Sequence, residues 1–247
     1  GALMSEIRSL GKSQGKSDRR KMTALPLISL SSRSLSRSRS RLASLLADAL
    51  RETMDDLRSV LTSTLSKSDS RASSIADEMN LDAVLRVRVR LAEELADAAE
   101  DSGHRTLVRI GVPSRSELVG VVSERALSWA RQHAGQLLGM REDDSGNLVE
   151  DPESPYSLTE STRSIVRDVL SRGIAENKTV EEMAAELEER GFSSERAARI
   201  ADEEVANANQ AGILDAVLEA SDSGFELEKS WKSVGDDRVS KTICAPN

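Results

Sequence analysis

Two adjacent carboxylates, Asp236 and Asp237, come nearest in this chain to a residue pair with catalytic chemistry. Paired carboxylates serve as acid and base in hydrolysis when both reach the same substrate. Neighbouring residues of a strand point to opposite faces, although residues of a turn need not. Because the sequence offers no organised nucleophile beside them, we expect both aspartates to cap a turn and Arg238 to pair with a nearby acid. We therefore predict that the protein is not an enzyme.

Metal and nucleotide sites find little support in the sequence. The single cysteine, Cys244, excludes a disulfide within the chain and any zinc site that needs paired cysteines. One of the two histidines, His133, is one helical turn from Trp129 and is expected to pack against it. Residues 11–17 resemble a phosphate-binding loop, but a leucine stands where that motif needs its first glycine. The acidic run 142–144 lacks the alternating carboxylates of a calcium loop, so we predict no cofactor and no metal.

The elements that position these side chains are predicted to be mainly helices. Only 2% of the 247 residues are aromatic. This argues against β-sandwiches and barrels, whose strands favour aromatic and β-branched residues. It also argues against proteins that stack single-stranded bases on aromatic side chains. No apolar run approaches the roughly 20 residues of a membrane helix, so we predict no membrane segment.

The net charge of −8 conceals a basic N-terminal segment. Residues 1–46 hold ten Lys and Arg against two acidic residues, and the rest of the chain carries a net charge of −16. Residues 1–41 are polar and rich in serine, so they bury too little apolar surface to fold, and we predict a flexible basic arm. Its partner is nucleic acid, an acidic protein surface or the chain's own acidic body. The candidate contacts to duplex DNA are Arg33, Arg37, Arg39 and Arg41.

Residues 42–140 have the periodicity of long amphipathic helices, and we predict a helical region there. The first helix carries an apolar stripe at spacings of three and four residues, which is typical of a bundle or coiled-coil seam. The stripe consists of Leu46, Leu50, Met54, Leu57 and Leu61. We expect residues 74–101 to cover it in a helical hairpin, with a second copy of the chain as the alternative.

Two shorter segments of this region are ambiguous between helix and strand. Residues 85–91 alternate between apolar residues and arginine, as an exposed strand would, but their Ala- and Glu-rich flanks favour a helix. Residues 106–110 are predicted to be a short strand or an extended connector. A further helix is expected to begin at Ser114 or Ser116 and to end near residue 140.

The C-terminal part is predicted to be a small α+β module over residues 158–247, preceded by an acidic linker over 141–157. The hydroxyl residues that mark its helix starts are Ser157 or Thr159, Thr179 in a capping box with Glu182, and Ser193 or Ser194. Gly191 is expected to end the second helix as its C-terminal cap. The alternating residues 225–233 indicate a strand, and we expect Trp231 to pack on the preceding helix. The residues expected to receive that tryptophan are Ile200, Val205 and Leu214.

This order of elements resembles the Mu F-like family of phage minor head proteins, which act in head morphogenesis. Members share a short capped helix, an Arg-Ala-x-Arg-Ile-Ala helix, and a strand followed by a Trp and an Asp-x-Arg-Val element. The corresponding pieces lie at 179–183, 196–209 and 229–239, so the resemblance covers about residues 158–247. The residues that carry it, all with expected structural roles, are Arg196, Arg199, Glu204, Asn207, Trp231, Asp236, Asp237 and Arg238.

The chain departs from the family pattern at two places. Asp202 and Glu203 replace the Arg-Thr pair that usually precedes the family glutamate. Ser240 stands where many members have a Cys or His element, so the resemblance implies no metal site in this chain. We expect the module to continue beyond Asn247.

The resemblance implies a structural component of a tailed-phage virion. Such a minor head protein lies in the capsid interior, associates with the portal, and enters from the host cytoplasm during assembly. It assists DNA packaging or ejection by binding, with its long helices on the portal and other head proteins and its basic arm on double-stranded DNA. Two alternatives stay open. The chain is the N-terminal part of a phage-associated enzyme or toxin whose catalytic domain lies beyond Asn247, or it is an assembly factor absent from the mature virion.

Overall fold

Long helices make up most of the chain. The computed structural model describes residues 33–64, 72–113, 116–143, 145, 148–151, 154 and 157–227. Of these residues 82% are helical, which confirms the predicted mainly α fold. Within them, no helix is both long enough and apolar enough to cross a membrane.

The described elements comprise eight helices and one antiparallel pair of short strands. The helices are α1 (Arg33–Thr64), α2 (Ala72–Asp77), α3 (Asp82–Arg86), α4 (Arg88–Ile110), α5 (Glu117–Leu137), α6 (Leu158–Ala175), α7 (Val180–Gly191) and α8 (Ser194–Asp222). The strands are β1 (Met140–Glu142) and β2 (Leu148–Glu150), and they pair with Arg141 opposite Val149.

Four helix starts follow from a hydroxyl side chain that accepts a backbone N–H of the first turn. The capping residues are Ser116, Ser157, Thr179 and Ser193. Thr179 also forms the predicted capping box, because the Glu182 side chain accepts the Thr179 N–H at 2.7 Å in return. Each such cap stabilises its helix by about 1 kcal/mol, so these starts are set locally.

The first helix begins nine residues earlier than predicted, at Arg33 instead of residue 42. The reason is that Leu35 and Leu42 are buried, with Ser38 buried between them, so the two leucines extend the apolar stripe towards the N-terminus at helical spacing. The predicted flexible arm is therefore wrong for residues 33–41, which are helical. Residues 1–32 of that arm lie outside the described residues.

The segment from 72 to 113 also differs from the expected single helix and strand. Helix α2 ends at Asp77, and the chain turns through Met79 and Leu81, which are both buried, before α3 begins. The predicted helix over 85–91 is confirmed, with one break at Val87 between α3 and α4. The strand or connector predicted over 106–110 is wrong, because those residues extend α4, which ends where Gly111 adopts the left-handed conformation (φ 92°).

One core unites the two regions that were predicted separately. A single cluster of buried side chains runs from Leu35 of α1 to Ala208 of α8. Helix α8 packs on α4, α1 and α5, so the C-terminal helix completes the core of the N-terminal helices. The predicted boundary between a helical region and a separate module is therefore absent from the described residues. The linker predicted over 141–157 likewise contains the β1–β2 pair.

The predicted seam is buried within the chain. All five seam residues of α1, Leu46, Leu50, Met54, Leu57 and Leu61, are at most 3% exposed. Their cover differs from a simple hairpin, because α1 packs more extensively on α8 than on α3 or α4. A second copy of the chain is not needed to shield this stripe.

The described end of the chain corrects two further expectations. Gly191 is the last residue of α7, with Phe192 as the cap. A Cβ on Gly191 would lie 3.2 Å from Ile165 Cγ2, so this glycine permits the close approach of α7 to α6. Phe225–Leu227 are not in a strand, and the remainder of the predicted strand lies outside the described residues.

Candidate functional site

Two of the four arginines predicted to contact DNA pair with acidic residues of the chain itself. The Nε of Arg39 lies 3.4 Å from Oδ1 of Asp202 on α8. The Nη1 of Arg41 lies 3.6 Å from Oε1 of Glu94 on α4. For these two arginines the structure thus favours the chain's own acidic body among the three partners that the sequence allows.

In the pair formed by Arg41 and Glu94, the carboxyl is the more buried partner. Burial raises the pKa of the Glu94 carboxyl, while the guanidinium of Arg41 acts in the opposite direction. Arg41 thereby offsets part of the cost of keeping a carboxylate ionised between the helices. Because 61% of the Arg41 side chain is exposed, solvent screening keeps this contribution small.

Arg33 and Arg37 are the candidate DNA contacts that are exposed and that no described ion pair involves. They lie one turn apart on α1, with the exposed hydroxyl residues Ser36 and Ser40 beside them. The first acidic residue of this helix is Asp48, so its N-terminal turns carry positive charge alone. Arginine and serine side chains are typical partners of phosphate oxygens. Among the described residues, the short surface formed by Arg33–Ser40 is therefore chemically suited to phosphate binding.

Arg196, the first arginine of the motif that carries the resemblance, joins three elements. It is 9% exposed, and its Nη1 donates to Thr162 Oγ1 at 3.0 Å and to the Gly191 carbonyl oxygen at 2.5 Å. Its Nη2 donates to Ser161 Oγ at 2.9 Å. Burial lowers the pKa of Arg196, and the charge of Arg199 acts in the same direction. Arg196 therefore joins α6 and the end of α7 to the first turn of α8, a structural role.

Glu204 of the motif joins α8 to α5 through His133. A Glu204 oxygen contacts the Nε2 of His133, and both side chains are largely buried. The His133 ring stacks on Trp129 with 4.7 Å between ring centroids and 13° between planes. The predicted packing of this histidine on the tryptophan is confirmed, whereas its contact with Glu204 was missed because the two residues are distant in sequence.

Of the two asparagines near the end of the motif, the one that lies in the core is Asn209 and not the predicted Asn207. Asn207 is exposed, while Asn209 is buried and its Oδ1 lies 2.8 Å from Ser102 Oγ of α4. Arg105 also donates to Ser102 Oγ at 3.2 Å. This buried polar contact lies between α4 and α8. The sequence analysis missed it, and the one signal for it is a serine, Ser102, in an otherwise alanine-rich segment.

One serine, Ser123 of α5, lies beside a histidine and a glutamate. Its Oγ is 3.0 Å from His104 Nε2 and donates to Glu100 Oε1 at 2.7 Å. In a hydrolytic triad the acid holds the other imidazole nitrogen, Nδ1, and so orients the base. Here Glu100 lies 3.7 Å from Nε2 itself, and both His104 and Glu100 are about one-third or more exposed. The arrangement links α4 to α5 and lacks the geometry that activates a nucleophile.

The remaining motif residues, Trp231, Asp236, Asp237 and Arg238, lie outside the described residues, as does Cys244. Within the part of the chain that is described, no group of three or more His, Cys, Asp or Glu side chains could hold a metal ion.

Comparisons with protein-family models, with curated proteins and with solved structures give no match to this chain. The structural observations that bear on its function are the contacts described above. Those contacts join helices to one another, whereas Arg33 and Arg37 are exposed and take part in no ion pair among the described residues.

Proposed function

We propose that this protein is a structural minor head protein of a tailed phage, associated with the portal and the capsid interior. The observation that carries the proposal is the order of three pieces along residues 179–239, namely a capped helix, the Arg196 helix and the Trp231–Arg238 element. Its role is to bind other head proteins and DNA during head morphogenesis, packaging or ejection, without making or breaking bonds.

The roles of the motif side chains support a binding function over a catalytic one. Arg196 donates all its described hydrogen bonds to neutral oxygens of neighbouring elements. Glu204 contacts His133, which is stacked on Trp129. Side chains engaged in this way hold helices at fixed positions, as a rigid component of an assembly requires. Neither of these two side chains is left exposed for a substrate.

The exposed arginines of α1 support the DNA-binding part of the proposal. Arg33 and Arg37 are available on the solvent face, while Arg39 and Arg41 contact Asp202 and Glu94. We expect weak binding to duplex DNA without sequence preference, because arginine contacts to phosphate carry no direct sequence information.

Mass spectrometry of purified virions tests the proposal. Peptides of this chain are expected in particles of the phage that encodes it, and they are expected to survive protease treatment of intact particles because the protein lies inside. Absence of these peptides from mature particles, with presence in assembling proheads, would instead identify an assembly factor. Loss of the peptides after mild protease treatment would contradict an interior location.

A further inference from the structure

Three arginines of α1 form a row along its N-terminal turns. Arg33, Arg37 and Arg41 follow one another at intervals of four residues, which is about 6 Å along the helix axis. Residues at this spacing are neighbours on the helix surface. All three are exposed, so Arg41 extends the surface formed by Arg33–Ser40 by one turn.

Two carboxylates on neighbouring helices hold arginines at this end of α1 in long ion pairs. Oε1 of Glu94 on α4 lies 3.6 Å from Nη1 of Arg41, and Oδ1 of Asp202 on α8 lies 3.4 Å from Nε of Arg39. Both distances exceed the upper limit of about 3.2 Å for a typical hydrogen bond between N–H and oxygen. Within the described part of the chain, Arg39 Nε and Glu94 Oε2 are buried without a hydrogen-bond partner. A closer acceptor, such as a phosphate oxygen, can therefore replace either carboxylate.

The position of α1 does not depend on these two ion pairs. Leu35 and Leu42 are completely buried, and α1 packs on both α8 and α4. Ser34 Oγ donates to a carboxylate oxygen of Asp101 on α4. The N-terminal turns of α1 are thus anchored by other contacts, so only side chains need to move when Arg39 or Arg41 changes its partner.

We propose that Asp202 and Glu94 restrain the binding of double-stranded DNA by α1, because they occupy Arg39 and Arg41. An arginine held by a carboxylate neutralises a phosphate only in the fraction of complexes in which it has left that carboxylate. Without the two carboxylates, the contact grows from two available arginines to four. This inference rests on the DNA-binding part of the proposed function and adds its control by residues outside α1.

The competition between carboxylate and phosphate is balanced enough for such control. Asp202 is exposed, so solvent screens its attraction for Arg39. Glu94 is half-buried, and loss of Arg41 would leave its carboxylate without a counter-charge between the helices. A phosphate of duplex DNA belongs to a dense row of negative charges, and its neutralisation releases condensed counterions. The carboxylates are therefore expected to weaken DNA binding without abolishing it.

Neutral isosteres of the two carboxylates test the proposal. The double substitution Asp202→Asn and Glu94→Gln releases both arginines and keeps their number unchanged. In titrations of a short labelled duplex, it is expected to raise the affinity at low salt by about threefold, the order of magnitude that two exposed ion pairs can contribute. The slope of log affinity against log salt is expected to become steeper, by at most about 0.9 for each arginine released.

The adjacent carboxylates provide a matched control. Glu203 and Glu93 are exposed and take part in no ion pair among the described residues. The double substitution Glu203→Gln and Glu93→Gln removes the same two negative charges, so it measures the effect of net charge alone. It is expected to raise the affinity less and to leave the salt slope nearly unchanged. Equal gains for the two double variants would overturn the proposal.

Removal of the two arginines completes a mutant cycle. In the Arg39→Ser and Arg41→Ser background, neutralisation of Asp202 and Glu94 is expected to have no larger effect than the control, because no arginine remains to be released. Circular dichroism shows that each variant keeps its helices. A gain of undiminished size in this background contradicts the inference.

Failure of the inference and failure of the proposed function give different results. If the unsubstituted protein binds duplex DNA but the loss of Asp202 and Glu94 acts like the control, DNA binding stands and the restraint is refuted. If every variant fails to bind at low salt, both the restraint and the DNA contact of α1 are refuted. Mass spectrometry of virions decides the location of the protein independently of these titrations.

Discussion

Gly212 of α8 crosses Ala99 of α4 so closely that a Cβ on the glycine would lie 1.9 Å from the Ala99 carbonyl oxygen. The partner helix repeats the arrangement, since a Cβ on Gly103 would lie 3.1 Å from the Gly212 carbonyl oxygen. Two backbones meet there without side chains between them. The crossing sets the distance between the two helices that organise the core, and the buried contact between Ser102 and Asn209 lies in the same interface.

We expect Gly212→Ala to destabilise the protein by about 3 kcal/mol, because backbone must move to admit the methyl group. The gain in helix propensity, about 1 kcal/mol, acts in the opposite direction and is smaller. Gly120→Ala on α5 is the matched control, because nothing lies within 4 Å of its added Cβ, and it is expected to stabilise the protein. Urea unfolding followed by circular dichroism measures both. Equal stability of the two variants would contradict the close crossing.

Arg196→Met is expected to lower the free energy of unfolding by about 2 kcal/mol, because Thr162 Oγ1 and the Gly191 carbonyl oxygen are then left without their donor in a buried place. Arg199→Met on the exposed side of the same helix is expected to change it by less than about 0.5 kcal/mol. Thermal and urea unfolding of the two variants provide the comparison. A decrease of similar size in both would indicate that charge, not burial, determines the effect.

The free energy of unfolding is expected to decrease in acid, because protonation of two carboxyls breaks the ion pairs around α6 and α7. Hydrogen bonding from Arg190 holds the pKa of Asp168 below its ordinary value of 3.8, and hydrogen bonding from Lys178 holds the pKa of Glu186 below its ordinary value of 4.5. A lowered carboxyl pKa stabilises the folded state above the unfolded pKa, and this contribution disappears as the pH drops through the folded pKa.

The combined variant Asp168→Asn and Glu186→Gln isolates this contribution. Its stability is expected to depend less steeply on pH below about 4.5 than that of the unsubstituted protein, as linkage requires when two titrating groups are removed. Added salt is expected to reduce the difference, because the pairs are exposed. Parallel pH profiles for the two proteins at low salt would exclude these carboxyls as the source.

Leu57→Asp is expected to destabilise the protein by several kcal/mol, because it places an unpaired charge in a seam residue that is 2% exposed. Val60→Asp, one turn away and 45% exposed, is the control with a much smaller expected effect. Light scattering of the unsubstituted protein over a concentration series is expected to give a monomer, since the seam is covered within the chain. A mass that increases with concentration would show that another surface associates.

The two pairs of α1 arginines are expected to differ in DNA binding. Replacement of Arg33 and Arg37 by serine is expected to weaken binding to duplex DNA and to reduce the slope of log affinity against log salt by about 0.9 for each phosphate that is no longer neutralised. Replacement of Arg39 and Arg41, which contact Asp202 and Glu94, is expected to reduce this slope less. Titrations at two salt concentrations measure both slopes. Equal effects of the two replacements would refute the separation of the pairs.

Local signals in the sequence determined the helix starts and the apolar face of α1. A capping hydroxyl such as Ser157 or Thr179 bonds to a backbone N–H only three residues away, so its effect does not depend on the rest of the fold. The stripe from Leu46 to Leu61 depends only on helical periodicity. These interactions act over one or a few turns, and the mainly α fold could be predicted from them.

Packing between distant segments decided the rest. The stretch 33–41 has the composition of a flexible arm, yet it is helical where Leu35 and Leu42 are buried against the other helices. Whether Arg39 faces solvent or Asp202, and whether His133 meets Glu204, depends on how α8 lies across α1 and α5. That placement requires the close crossing at Gly212, and no pattern within one helix reveals which glycine will meet which backbone. Burial and pairing are properties of the packed helices, so only the tertiary structure determined which charges remain available for binding.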